Sequence, residues 1–132
     1  MKTLLSVLIL VALAPAQTLP EAPQRILDWQ FVSAHAVYGA SNAFDNYVTQ
    51  RGLGCAFEGN PDLGRNPSAR AQAIHGLVEF SAVVAGDAAF KWFGRRQGIP
   101  RWLNSLGGNL GAFIGTGKHL QGGLAWVHTG CL

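Results

Sequence analysis

Charge is scarce in this chain. Asp, Glu, Lys and Arg make up 13% of the residues, about half of the roughly 25% usual for a soluble globular domain. Yet no uninterrupted apolar run reaches the 20 or so residues of an unambiguous transmembrane helix, so the composition falls between two solvents. The net charge of +3 is modest, the arginines are scattered, and no basic helix face or RNA-stacking aromatic motif is present, which argues against nucleic acid as a partner. The parts of common active sites are missing too. There is no Gly-x-Ser-x-Gly elbow, no phosphate loop, no dinucleotide fingerprint and no HExxH. A catalytic role has no support in the spacing.

Glycine, by contrast, is plentiful at one place. Gly107, Gly111, Gly115, His119 and Gly123 recur at every fourth residue, and on a helix such positions lie along one slowly drifting stripe. Each glycine inside a helix costs roughly 1 kcal/mol relative to alanine, so the ladder has to be offset by close packing. A bilayer, where GxxxG faces are a packing seam, or a tight helical core would do so. The groove is expected to receive another helix, from the same protein or from another membrane protein. The competing reading is an irregular glycine-rich tail.

Met1 and Lys2 lead into the apolar run Leu4–Ala14, with small residues at Ala14 and Ala16. This is the pattern of a secretory signal peptide over 1–16, leaving 17–132 as one domain. Helical periodicity predicts three helices at about 25–50, 67–93 and 100–128. Asn66 is the expected cap of the second, with Pro67 in its first turn. The fold class expected is therefore all-α: a small bundle of about three helices, the last two forming a two-helix transmembrane hairpin. Signal cleavage leaves residue 17 outside the cytoplasm, whereas Lys91, Arg95, Arg96 and Arg101 belong inside by the positive-inside rule. Two spans satisfy both conditions, with helix one external or on the membrane surface. Loop 51–66 and the C-terminus then face the periplasm from an inner membrane. Cys55 and Cys131 would share that oxidising compartment, and a bridge between them would close a loop of about 75 residues, worth roughly 4–5 kcal/mol on the chain-entropy model.

At Asp45-Asn-Tyr-Val-Thr49, then Glu58-Gly-Asn60-Pro61 and Leu63-Gly-Arg-Asn-Pro-Ser68, the chain loosely resembles a group of small bacterial helical membrane proteins. In these an Asp-x3-Thr helix end leads into Glu-x-Asn-Pro and a further apolar helix. The resemblance implies an all-helical membrane protein without an assigned activity, and makes Asp45, Thr49, Glu58, Asn60 and Pro61 a loop motif.

The remaining candidates are ionisable. His75 and Glu79 are one turn apart and can converge on a metal ion or share a proton, although a third ligand from Asp45, Glu58 or His119 would be required. The blander reading is a buried polar pair. His119, between Gly115 and Gly123, offers an alternative in which haem is bound by its imidazole, with His75 or His35 opposite; a packed histidine is the default. Asp87 and Lys91 have i,i+4 spacing, with Lys91 expected to reach toward the basic turn. Trp29, Trp92, Trp102 and Trp126 fall where interfacial belts would lie.

Overall fold

A computed structural model describes residues 25–56 and 58–130. The signal segment 1–16 and Cys131 lie outside the described residues. Four helices and no strands are present among those residues: α1 (Trp29–Gly52), α2 (Ala69–Arg96), α3 (Arg101–Gly107) and α4 (Leu110–His128). The all-α class with three long helices is as expected, but three boundaries differ.

α1 starts at Trp29 because Asp28, in extended conformation, caps it: its carboxylate accepts the Phe31 N–H at 2.8 Å, satisfying one of the free amides of the first turn. The cap of α2 is Ser68, which accepts from Ala71 at 3.1 Å, two residues beyond the expected Asn66. α2 closes where Gly98 takes a φ of +68°. The Ile99 and Gly98 amides then turn back onto the carbonyls of Gly94 and Arg95, a Schellman ending. The third expected helix is broken. Gly107 ends α3, and α4 restarts after Asn109.

That break has a tertiary cause. The Asp87 carboxylate on α2 accepts the Gly111 and Ala112 amides at 3.1 and 3.0 Å. It thus caps α4 from another helix, where free N–H groups and the helix dipole favour negative charge. At Gly108 a Cβ would run into the Lys91 side chain. Asp87 and Lys91 are therefore not the pair expected from their spacing. Lys91 is 3% exposed and bonds Asp28 at 2.6 Å instead of reaching for the basic turn.

The transmembrane hairpin is also corrected. α4 packs chiefly on α1, with α2 a lesser neighbour, and among the described residues only α2 is long and apolar enough to cross a membrane. Paired positions climb α1 and α4 together: Tyr38 with Gly115, Asn42 with His119, Phe44 with Gly123, Gly52 with Trp126. The two helices run parallel. α2 runs against them, with Asp87 beside His35 and Gly76 beside Asn42. Helix one is thus an inner member of the bundle, not a separate external element.

The glycine ladder is the seam that makes this possible. Tyr38, fully buried, lays its ring on Gly115, and Phe44 lies so close to Gly123 that a Cβ there would meet it at 2.5 Å. Gly111 abuts Asp87 and Val83, and Gly107, on α3, faces Phe90. The groove is filled by the protein's own side chains.

Candidate functional site

The interior is polar. Among the described residues, five hydrophobic side chains are buried against ten polar or charged ones, while twenty large hydrophobic residues are exposed. Because a buried polar group must be paired to be tolerated, the pairings define the structure. They form two clusters along the α1–α4 seam.

In the first cluster, His35 bonds the Phe31 carbonyl through Nδ1 at 2.8 Å and stacks on the Phe31 ring. Its Nε2 lies 3.2 Å from Asp87 Oδ2, a close approach without the alignment of a hydrogen bond. Below it is the Lys91–Asp28 pair. Burial pulls the Asp28 carboxyl upward, but the hydrogen bonds from Lys91 and the Phe31 N–H, with the charges of Lys91 and Arg101, outweigh it and hold the group below its usual 3.8. This cluster fastens the start of α1 to α2 and α4.

The second cluster is about two helical turns along α1, roughly 10 Å at 1.5 Å per residue. His119 Nδ1 lies 2.8 Å from Asp45 Oδ2. Its Nε2 has two neighbours: the Asn42 amide nitrogen at 3.2 Å and Glu79 Oε2 at 3.4 Å. Glu79 also meets Lys118 at 3.3 Å and, more distantly, His75 at 4.0 Å. Asn42 is held in turn, its Oδ1 accepting from Asn46 at 2.8 Å and its Nδ2 reaching the Gly76 carbonyl at 3.4 Å. Gly76 is required here, because a Cβ would meet Asn42 Oδ1 at 2.5 Å.

This cluster opens into a cleft of about 490 Å³. Asp45, Thr49, Glu58, Asn60, Pro61, His75, Glu79 and His119 all line it, so the loop motif and the candidate ionisable residues, far apart in sequence, meet at one place. Glu58 Oε1 accepts the Asn60 amide at 2.8 Å and Asn60 Oδ1 that of Asp62 at 3.0 Å, which shapes the loop as the far wall. Asp45, a member of the loop motif, turns its carboxylate to His119.

No family model, curated protein or solved structure matches this chain. The site therefore has to be read from its own chemistry.

The residues do not fit haem. Both nitrogens of His119 are engaged, and the gaps on either side of it, at Gly115 and Gly123, hold Tyr38 and Phe44, leaving no slot for a macrocycle. No group of three His, Cys, Asp or Glu among the described residues converges as metal ligands would. The tryptophans divide: Trp29, Trp92 and Trp102 are exposed, but Trp126 is buried across Gly52. Asn42 and Lys118 are the site residues that spacing did not assign, and Asp87 and His35 were assigned other partners. An amide and a lysine carry no motif, and Asp87 gains its role from a helix that begins 23 residues later. Cys55 follows the last turn of α1 and is not a free thiol. No disulfide lies wholly among the described residues.

Proposed function

We propose that this chain is an integral helical protein of a bacterial envelope membrane, non-catalytic, whose glycine ladder packs its own helices around a polar interior. One observation carries the reading: the bundle is apolar outside and polar inside. In water, Trp29 at 80% exposure and Ile74, Leu77, Val78, Phe90 and Phe93 around α2 would leave large apolar side chains uncovered on more than one face of the bundle, more than monomers usually expose. Only 11% of α2's apolar window is buried, whereas a core helix of a soluble protein would be mostly covered. In lipid the same surface is ordinary, and interiors rich in small and polar residues are the usual means of helix association.

The end of the bundle that carries Gly52 and Trp126 also carries the loop after Cys55 and the tail toward Cys131. That supports a Cys55–Cys131 bridge and a common periplasmic side for loop 51–66 and the C-terminus. The basic turn lies at the opposite end, the inside by charge. The start of α1 lies there as well, since Gln30 bonds Ser105 and Asp28 bonds Lys91. The proposed orientation therefore places residue 28 on the cytoplasmic side, a position that cleavage at 16 would not produce.

A soluble periplasmic bundle is the second reading, favoured by there being one candidate span among the described residues. Washing membranes with alkaline carbonate decides between them. Retention in the pellet is expected; release into the wash, or recovery from the periplasmic fraction, would sink the membrane reading.

A further inference from the structure

His119 Nε2 is contested. Asp45 takes the Nδ1 side at 2.8 Å, and a carboxylate oxygen only accepts, so Nδ1 carries a hydrogen. At Nε2, the Asn42 nitrogen is a donor and needs a lone pair to point at, whereas Glu79 Oε2 is an acceptor and needs an N–H. They lie 3.2 and 3.4 Å away. Asn42 cannot simply turn its oxygen inward, because Asn46 donates to that oxygen and the Gly76 carbonyl accepts from its nitrogen. The neutral ring satisfies Asn42 and leaves Glu79 Oε2 without its donor; the protonated ring satisfies Glu79 and turns two donors toward each other. Neither state satisfies both neighbours, and the two differ by one proton.

We propose that His119 is a proton-binding site that exchanges its Nε2 proton with the cleft through Glu79. A proton taken up by Glu79 from cleft water passes to the Nε2 lone pair, the Asn42 hydrogen bond is given up, and Nε2–H donates to the Glu79 carboxylate. The proton leaves by transfer to Glu79 Oε2, giving neutral imidazole and a carboxylic acid, and then from Glu79 to water. Asp45 is the positioning residue, fixing the ring and its tautomer.

The groups facing His119 come from every neighbouring element: Asp45 and the Tyr38 ring on α1, Glu79 and His75 on α2, Lys118 on α4, and Glu58 and Asp62 across the cleft. Four carboxylates against one ammonium make this a place that attracts cations, in a chain whose net charge is +3. His119 is 7% exposed, so its traffic runs through the cleft. The inference goes beyond the membrane reading and holds in either solvent.

The test is ¹⁵N-histidine NMR of the purified full chain from about pH 4 to pH 9, with His119→Gln assigning the resonances. In the parent protein Nε2 is expected to change from acceptor to N–H within that range. Glu79→Gln removes the negative charge beside Nε2, and with it the carboxylate that can take the proton, and should move the change to lower pH by about one unit or more. Asn42→Ala removes the competing donor and should move it to higher pH. Glu79 is 24% exposed on its side chain, so its isosteric variant keeps the fold even if the buried Asn42 variant does not. An Nε2 that never changes state, or one whose change is unmoved in Glu79→Gln, would overturn the proposal.

Discussion

Gly115 and Gly117 are two residues apart on α4 and face opposite conditions. A Cβ on Gly115 would enter the Tyr38 ring, whereas one on Gly117 would meet nothing within 4 Å. Tyr38 cannot retreat. It is fully buried, with the Phe80 ring 5.5 Å away on one side and the His119 ring 5.8 Å away on another. Overpacking of this kind costs about 1–3 kcal/mol, and alanine returns at most about 1 kcal/mol of helix propensity. Gly115→Ala should therefore lose up to about 2 kcal/mol, and Gly117→Ala should gain up to about 1 kcal/mol. The difference between the two variants is the informative quantity. The propensity term cancels in it, whether the helix lies in lipid or water, leaving about 1–3 kcal/mol for the contact alone. Thermal unfolding followed by far-UV circular dichroism, both variants in the same detergent, measures it. Equal shifts in the two variants would refute the seam.

The Asp28–Lys91 pair makes stability depend on pH. A carboxyl held below its usual 3.8 contributes fully above that value and loses its contribution as pH falls through the lower folded value. Asp28→Asn should accordingly destabilise the protein at neutral pH, and the gap to the parent should close in acid. A buried pair broken on one side costs about 3–5 kcal/mol. Asp28 is 30% exposed on its side chain, so screening brings the expectation to about 2–3 kcal/mol; a gap independent of pH would count against the pairing. Asp87→Ala should cost about 2–3 kcal/mol in denaturant unfolding, because two amides at the start of α4 lose their acceptor, and Asp87→Asn should recover part of it. A loss within about 0.5 kcal/mol would mean that α4 is capped by something else.

The three long helices were legible because their signals are local. Apolar and small residues recur at helical spacing and Gly- and Pro-rich segments separate them, although the caps themselves, Asp28 and Ser68, were not picked out, Asn66 being expected in place of Ser68. The ladder was legible for the same reason: four glycines at a period of four mark a face that something must approach. What approaches was not. That Tyr38 and Phe44 fill the groove, and that α4 lies parallel to α1, depends on a chain path through α3 that no spacing encodes. The break before α4 was hidden likewise, because its cap is supplied by Asp87 from α2.

The cleft divides in the same way. His75, Glu79 and His119 stood out as ionisable residues in apolar surroundings, and the Asp45 to Pro61 motif as a patterned loop. Only packing could place them together, reduce His75 to a distant neighbour of Glu79, and choose Asp45, Asn42 and Glu79 as the partners of His119. The sequence by itself determined that this chain is helical, poor in charge and close-packed through glycine, since each of these follows from residue type and period. The tertiary structure decided that its polar groups face inward and its apolar groups outward, because which side of a helix is covered depends on what lies against it.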